Sequence, residues 1–441
     1  VVGTLPQVSE NVELSVAISR LTLDFVMNDV FQSAEENANV TCDELAKYEI
    51  ISWLLQQGLT DRLLALPQNN QSLLEDYMKK RLDTLSSREE NLLECISLRL
   101  MLWRLFTKRN AHFEAAQMLE SLALSCQHNS EPTMRTLSLD NRIEYLARAI
   151  VSLKSLESQQ RHSHSQYLKA VQDRLDTAEL QQQLLQELLT SGSGVDIDSA
   201  AQKLSFGPLY DLTTLFMQFA EPLNMYEAKL HIFRAANHQD CELIRAVWTD
   251  LLKRHLTYQP EQHGDVPASS ELALAECLRR QYQHIIQANK AYHSELNSTD
   301  SLYFPGELIV AQLEQYAIER NLDTSWVLAL FRRADIYAPS QLARHYDALL
   351  RSKDPFWHSD KRRERLFSVL LAIFRQFLND CGSQPQRSRQ YHATKLMDLN
   401  STMMVELQSG SGASSPLDPA KAKAILSQFA QFQQQLEQIF M

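Results

Sequence analysis

Two histidines close together in the sequence, His162 and His164, are the first candidates for metal chemistry. Imidazole nitrogens are common zinc ligands, but two residues separated by one position do not share a face of a helix. We therefore interpret the pair as part of a solvated polar turn. The chain also lacks the His-Glu-x-x-His pattern of zinc proteases and the Gly-x-x-x-x-Gly-Lys-Ser/Thr loop that binds phosphate. No metal ligand and no cofactor are predicted.

Paired carboxylates and an isolated serine are the next candidates, in this case for catalysis. Glu221 and Glu227 could act as a general acid and base, but helix-start stabilisation and ordinary surface charge explain both more simply. Ser193 lies between two glycines without the Gly-x-Ser-x-Gly pattern or the preceding strand of a nucleophile elbow. The sequence therefore predicts no enzyme, although a site built from residues far apart in the chain stays an alternative.

The most suggestive local feature is a cationic run that follows two large aromatic residues. A basic patch beside an aromatic anchor can dock an acidic partner or a membrane surface. Alternatively, the aromatic rings cap a pair of helices while the basic side chains stay in solvent. We predict exposure of the basic run and a contribution to a partner contact. The candidate protein-binding residues are Phe356, Trp357, Lys361, Arg362, Arg363 and Arg365.

The elements that carry these residues are predicted to be helices throughout. Residues 206–252 show the pattern best, because three apolar stripes recur there at helical spacing with very short connections between them. Pro222 separates the first two stripes and is expected to open the second helix, since proline suits a first helical turn. A polar turn at 237–240 separates the second stripe from the third. Short connections of this kind place neighbouring helices antiparallel.

Composition extends this prediction to the whole chain. Ten glycines and thirteen prolines among 441 residues are few, and no segment alternates as a half-buried strand does. About seventeen amphipathic helices in succession predict an all-α fold, an irregular α-solenoid of stacked antiparallel helices. We divide it into an N-terminal segment at 1–190, a central three-helix segment at 195–258 and a C-terminal segment at 268–441. These segments are expected to form one continuous elongated domain.

Charge and cysteine usage exclude several classes of function. A net charge of −11 argues against broad nucleic-acid binding, which requires a basic surface. The six cysteines contain no Cys-x-x-Cys pair, so we expect reduced, core-packed thiols in a reducing compartment. No apolar run reaches membrane-spanning length. The chain is interpreted as a fragment of a longer protein, with Ser-Gly stretches at 191–194 and 409–412 that are flexible joints or engineered replacements.

Several stretches in a fixed order resemble one family, the large inner-ring scaffold nucleoporins of the 155/170-kilodalton type, in their C-terminal helical domain. No single motif is chemically specific, and the order of the motifs over residues 20–440 carries the resemblance. The matching stretches are Asp43-Glu44-Leu45 leading to Trp53-Leu54-Leu55, Arg142 to Ile150, Phe219-Ala220-Glu221-Pro222, Glu227 with Lys229-Leu230, Trp248 to Leu252, Phe304-Pro305 with Ile309-Val310 and Leu313 to Gln315, and Tyr346-Asp347 with Arg351 to Trp357.

The resemblance implies a structural scaffold subunit of the nuclear pore complex that supports pore assembly and nucleocytoplasmic transport of mRNA and protein. It implies a location in the nucleus, at the nuclear envelope, and a propeller domain upstream. The implied partners are inner-ring scaffold proteins and linker nucleoporins, including the Gly-Leu-Phe-Gly-repeat type. A solenoid surface binds short linear motifs of disordered partners. Proximity to the membrane is an open expectation, direct nucleic-acid binding is not expected, and a vesicle-coat or tethering solenoid is the alternative.

Overall fold

A computed structural model gives the fold of this chain. It describes residues 41–58, 60–65, 68–86, 92–125, 137–190, 195–257, 267–289, 300–336, 339–381, 386–409 and 419–440. Throughout these ranges the regular elements are helices, and none of them contains a strand. The predicted all-α solenoid class is therefore confirmed. The apolar pattern also predicts a first helix over 12–30, and this segment lies outside the described residues, as do the Ser-Gly stretches at 191–194 and 410–412.

Contacts between residues divide the chain into two compact units, at 1–211 and 212–441. The first unit contains nine described helices, and each of the longer ones packs chiefly on its neighbours in the chain. The helices are α1 (Thr41–Gln56), α2 (Thr60–Leu64), α3 (Gln68–Ser86), α4 (Leu92–Lys108), α5 (His112–Leu124), α6 (Leu139–Lys154), α7 (Ser158–Ser163), α8 (Ser165–Thr190) and α9 (Val195–Phe206).

Two apolar clusters hold the first unit together. One joins α1 to α5 around Leu54, Leu102 and Leu105, which are fully buried. The other joins α5, α6 and α8 around Leu119 and Leu146. Each buried leucine of this kind contributes about 1.5–3 kcal/mol of transfer free energy. Because each cluster is made by helices that follow one another, the unit has the nearest-neighbour organisation of a solenoid.

The second unit continues the same pattern with short and long helices. Neighbouring pairs pack along the chain, for example α11 on α12, α17 on α18 and α19 on α20. The elements are α10 (Leu212–Thr214), a π-helix (Leu215–Ala220), α11 (Tyr226–Ala235), α12 (Cys241–Thr257), α13 (Pro267–Asn289), α14 (Asp300–Tyr303), α15 (Gly306–Glu319), α16 (Trp326–Arg333), α17 (Pro339–Leu350), a 3-10 turn (Pro355–His358), α18 (Asp360–Asp380), α19 (Gln386–Ser409) and α20 (Pro419–Phe440).

One continuous apolar cluster runs through the second unit. Trp248 of α12 is fully buried, and its indole Nε1 donates to the carbonyl of Tyr303 at 2.9 Å. At the C-terminal end, Phe374 of α18 stacks on Phe432 of α20 with ring centroids 4.4 Å apart. Aromatic pairs add about 0.5–1.5 kcal/mol beyond their buried area. The stack therefore holds the last helix against α18.

Several helices end on asparagine or aspartate in the left-handed conformation, which explains how the chain manages with so few glycines. Asn110, Asn224, Asn237, Asn321 and Asp335 have positive φ values between 50° and 57°. At Asn237 the next amide, that of His238, donates back to the carbonyl of Phe233 at 2.8 Å. This is the bond pattern of a Schellman ending, in which asparagine substitutes for glycine.

The segment at 206–252 differs from the prediction at its first helix. Its first stripe forms α10 and then a π-helix, in which the amide of Glu221 donates to the carbonyl of Phe216 at 2.9 Å. Pro222 lies in the following turn and does not open the second helix, which begins four residues later at Tyr226. Proline has no N–H and cannot continue the helical bonds, so the helix ends before it.

The boundary between the two units, at 211–212, lies inside the segment predicted as a central three-helix element. The three-segment division at 1–190, 195–258 and 268–441 stays a prediction. Among the described helices, none combines the length and apolar character needed to cross a membrane. Of the cysteines with described side chains, Cys95, Cys277 and Cys381 are buried and Cys241 is exposed, and none of these four forms a disulfide.

Candidate functional site

The aromatic part of the predicted binding site is a structural turn between α17 and α18. Asp354 caps this 3-10 turn, because its carboxylate accepts the amide hydrogen of Phe356 at 2.9 Å. Trp357 is only 2 % exposed and belongs to the apolar cluster of the second unit. Phe356 packs edge-on against it, with ring centroids 4.8 Å apart. Trp357 is therefore a core residue and not a surface anchor.

The apolar spacing by itself predicts a helix from Arg365 to Asn379. In the structure α18 begins earlier, at Asp360, so the basic run lies inside its first turns. Arg362 folds back over the preceding turn, with its guanidinium carbon 3.8 Å from the centroid of the Phe356 ring. Its Nη1 also donates to the carbonyl of Phe356 at 2.6 Å. A cation–π contact of this kind contributes about 0.5–1 kcal/mol near a surface. Arg362 therefore supports the turn.

Arg365 joins three elements through a buried carboxylate. Its Nε donates to Oε2 of Glu314 on α15 at 3.0 Å, and the Tyr346 hydroxyl on α17 donates to Oε1 at 2.6 Å. The Glu314 side chain is fully buried. Arg365 also donates to the carbonyls of Leu322 and Asp323 at 2.9 Å, where the chain leaves α15.

Burial raises the pKa of Glu314, while the hydrogen bonds from Tyr346 and Arg365 act in the opposite direction. Burial and the adjacent carboxylate together raise the pKa of Tyr346 well above its usual range. A buried charge without its partner costs about 3–5 kcal/mol. The three side chains therefore act as one unit that fixes α15, α17 and α18 relative to one another.

The expected exposure of the basic run is wrong for most of its members. Arg365 pairs with the buried Glu314, and Arg362 packs on the Phe356 ring. The Nε of Arg363 is buried without a hydrogen-bond partner among the described residues. Of the four basic residues, Lys361 alone is exposed, and the three arginines are half-buried. The structural alternative is right about the aromatic rings. Its expectation that the basic side chains stay in solvent holds only for Lys361, because the first turns of an amphipathic helix direct some of their side chains inward.

The other chemically suggestive residues also have structural roles. His164 stacks on Phe113 with ring centroids 3.9 Å apart, whereas His162 is exposed. Glu221 forms an ion pair at 2.7 Å with Lys229, whose side chain is almost completely buried. Glu227 is held by other partners, so the two carboxylates do not form a pair. It contacts Arg280 of α13 at 2.9 Å.

A groove that the sequence analysis missed lies between α18 and α20. Two adjoining cavities, of 430 and 250 Å³, share Leu371, Arg375 and Gln428 in their walls. Its floor includes the Phe374–Phe432 stack, and Nη2 of Arg375 donates to Oε1 of Gln428 at 2.9 Å. The rim is amide-rich, since Asn379, Gln428, Gln431 and Gln435 line the larger cavity.

Amide side chains can donate to and accept from an extended peptide backbone. A groove with an apolar floor and such a rim is suited to a short peptide segment. The sequence offered one signal for it, the repeated glutamines of α20 between apolar positions. Nothing in the sequence indicated that α18 would lie opposite them.

The chain is similar in sequence to nuclear pore proteins. Residues 7–412 match the family model Nucleoporin_C, the non-repetitive/WGA-negative nucleoporin C-terminal region. The chain belongs to this family. Nuclear pore complex protein Nup154 of Drosophila melanogaster is 23% identical over 381 residues, a match covering 80% of this chain and 25% of the relative. Nucleoporin NUP170 of Chaetomium thermophilum is 27% identical over 317 residues, covering 66% of this chain and 20% of the relative.

The chain thus spans about a quarter of the length of the curated nucleoporins it matches. Among solved structures, a crystal structure of the Chaetomium thermophilum Nup170 CTD has a TM-score of 0.61 at 20% identity, covering 91% of this chain and 72% of that one. A complex of the Nup170 CTD with Nup145N has a TM-score of 0.57 at 20% identity, covering 90% and 73%. These structures confirm the fold, and the family match confirms the predicted resemblance to nuclear pore scaffold proteins.

Proposed function

We propose that this chain is a structural segment of a nuclear pore scaffold nucleoporin and that it binds other nucleoporins through its helical surface. The observation that carries this proposal is the nucleoporin family match over residues 7–412, which includes almost all of the described helices. The proposal places the protein in the nucleus, at the pore complex, where it supports transport as part of the scaffold. It includes no catalysis, because the relatives are nucleoporins.

We further propose that the α18–α20 groove binds a short extended segment of a linker nucleoporin. The related Nup170 CTD forms a complex with Nup145N, which shows that a domain of this fold can bind another nucleoporin. The amide-rich rim suits a peptide backbone, and the exposed guanidinium of Arg375 suits a carbonyl or carboxylate on the segment. Inner-ring scaffold proteins and the Gly-Leu-Phe-Gly-repeat linker are the partner classes to test.

Capture from nuclear-envelope extract tests the function as a whole. The 441-residue chain is immobilised, and bound proteins are identified by mass spectrometry. We expect linker and inner-ring nucleoporins among the captured proteins. Capture of coat or tethering components instead would favour the membrane-trafficking alternative and contradict the proposal. Direct titration with purified Nup145N then measures a single pairwise affinity.

The groove is tested with substitutions at exposed positions of its rim. Arg375→Glu and Gln431→Glu together replace the positive charge of the groove with negative charge, which repels carbonyl and carboxylate oxygens of the linker segment. The double variant should bind the segment about tenfold more weakly or worse, with an unchanged circular dichroism spectrum. Lys423→Glu combined with Gln434→Glu is the matched control, since it changes the net charge by the same amount and both residues are exposed on α20 without lining either cavity. Equal affinities for the two variants would show that the segment binds elsewhere.

A second, separate hypothesis is that the basic run contacts a partner. It now concerns only Lys361 and Arg363, because Arg362 and Arg365 have structural roles. Lys361→Glu combined with Arg363→Glu should weaken association with an acidic segment at low salt. The effect should fade at high salt, because the screening length falls to about 3 Å at 1 M. Exposed and half-exposed positions of this kind leave the fold intact. If the variant still captures every nucleoporin at low salt, Lys361 and Arg363 contact only solvent and the hypothesis is wrong.

A further inference from the structure

Three side chains of different chemical types meet between α11, α12 and α13. Glu227 on α11, His255 on α12 and Cys277 on α13 each have one ligand atom within 4.8 Å of those of the other two. Cys277 is 1% exposed, and the other two are half-buried. No other described residues form such a group of three. The residues are far apart in sequence, so a search for compact ligand motifs does not detect them.

The combination of donors selects a class of metal ion. A thiolate and an imidazole are ligands for zinc and related transition metals, whereas magnesium and calcium take oxygen donors. Tetrahedral zinc with ligand distances of 2.0–2.3 Å places its donor atoms about 3.3–3.8 Å apart. The separations here are up to 4.8 Å, so small side-chain rotations bring the three donors to that geometry.

The surroundings orient the carboxylate. Nη2 of Arg280 donates to Oε1 of Glu227 at 2.9 Å, and Nε2 of Gln281 donates to Oε2 at 3.2 Å. Hydrogen bonds of this kind hold ligating carboxylates in position in known metal sites. The thiolate and the carboxylate offset the two charges of a divalent cation. Arg280 adds one positive charge beside Glu227, but its side chain is 53 % exposed, so water solvates this charge.

We propose that Glu227, His255 and Cys277 bind a zinc ion, with a water molecule as the fourth ligand. The ion would link three successive helices of the second unit. Zinc binding would replace the thiol proton of Cys277, which is released to solvent. Because the donors come together only in the folded chain, binding would stabilise the native state over the unfolded one.

The test uses the full chain after removal of metals with a chelator, and Co²⁺ as a spectroscopic probe. One equivalent of Co²⁺ should produce a thiolate-to-cobalt charge-transfer band and tetrahedral ligand-field bands. Cys277→Ser should abolish the charge-transfer band. Cys381→Ser, which changes a buried cysteine of α18 outside the cluster, should retain it. A chain that gives no band, or Cys277→Ser with an unchanged band, would overturn the proposal.

Zinc affinity gives the second measurement. One equivalent of Zn²⁺ should raise Tm by about 4 °C or more in the chelator-treated chain. Glu227→Gln retains the size of the side chain but removes the ligand charge, and it should weaken zinc binding by about 100-fold, because a lost ligand costs at least as much as a lost supporting hydrogen bond. An unchanged Tm on zinc addition to the wild-type chain would contradict the site without reference to any variant.

Discussion

At the scale of single residues, Arg365 and its partners Glu314 and Tyr346 hold three helices of the second unit in place. Arg365 looked like one member of a surface patch, yet it neutralises Glu314 and supports the end of α15. Reversing its charge would place a second carboxylate beside a buried one. The predicted exposure of Lys361, Arg362, Arg363 and Arg365 implied that changing all four to Glu would leave the fold intact. The structure predicts instead that this variant unfolds the second unit.

Replacing Arg365 with alanine should destabilise the protein by about 3–5 kcal/mol, because Glu314 then keeps a buried charge with no cation beside it. The measurement is urea denaturation monitored by circular dichroism. Adding Glu314→Gln to Arg365→Ala should recover part of the loss, since the amide carries no charge and its oxygen still accepts from Tyr346. Lys361→Ala, at an exposed position of the same helix, should change stability by no more than about 0.5 kcal/mol.

Trp357 provides a second prediction at this scale. Trp357→Ala should cost about 3–5 kcal/mol, because the indole is 2 % exposed and its removal leaves a cavity in the core of the second unit. Thermal unfolding measures the loss. Trp53→Ala is the control, since Trp53 is 47 % exposed on α1. Similar costs for the two variants would show that burial does not determine the effect.

His345 should make the stability dependent on pH. Burial, and secondarily the charge of Arg344, lowers the pKa of His345 to about 4. Its ring packs so closely on Gly306 that a Cβ atom at this position would clash with Nε2. In the unfolded chain the imidazole has a pKa of about 6.5 and takes up a proton first. The stability that neutral His345 contributes to the folded state is therefore complete above pH 6.5, and it is lost as the pH falls from 6.5 through 4.

Between pH 7 and pH 5 the wild-type chain should lose about 1–2 kcal/mol more stability than His345→Gln, after allowance for the partly exposed ring. Urea denaturation at the two pH values gives the comparison. The half-buried His231 and His284 are present in both proteins, so their contributions cancel in the difference. Identical losses in wild type and His345→Gln would contradict the assignment.

At the scale of the elements, helix endings determine where each packed pair turns. The ending at Asn321 has φ 51°, and the amide of Leu322 donates to the carbonyl of Ala317 at 2.8 Å. The same turn presents the Leu322 carbonyl to Arg365. Geometry at one helix end thus supports the buried network that joins α15, α17 and α18.

Asn321→Val should therefore destabilise the protein by about 1–2 kcal/mol, because a β-branched residue does not tolerate the left-handed conformation. Asn321→Gly should stay within about 0.5 kcal/mol of the wild type, since glycine adopts this conformation without a steric cost. Both changes are at an exposed position, so lost packing does not contribute. Thermal or urea denaturation of the pair separates backbone strain from any effect of the asparagine amide.

At the scale of the whole molecule, composition and secondary structure agree. Ten glycines, thirteen prolines and the lack of strand alternation predicted helices, and the described ranges contain helices without strands. We expect a far-ultraviolet circular dichroism spectrum with well over half of the residues helical, above the usual third of a globular protein. A substantial sheet component would be incompatible with the solenoid.

The sequence by itself determined the helical class, the approximate positions of most helices and the nucleoporin family. These properties follow from local information, because apolar spacing and the order of short motifs are readable along one chain. Helix starts were displaced where the local signal was ambiguous, as at Asp360 and Tyr226. A proline or an acidic residue near a helix start fits more than one position, so packing decides the boundary.

Tertiary structure alone decided which polar residues have partners and which surfaces stay open. Glu314 and Arg365 are 51 residues apart in sequence, and only the packing of α15 against α18 brings them together. Helix packing likewise brings Glu227 close to Cys277, and it forms the groove between α18 and α20. A hydrogen bond or a ligand set between distant residues depends on how two helices cross. Helical periodicity fixes the inward face of each helix but not its neighbour.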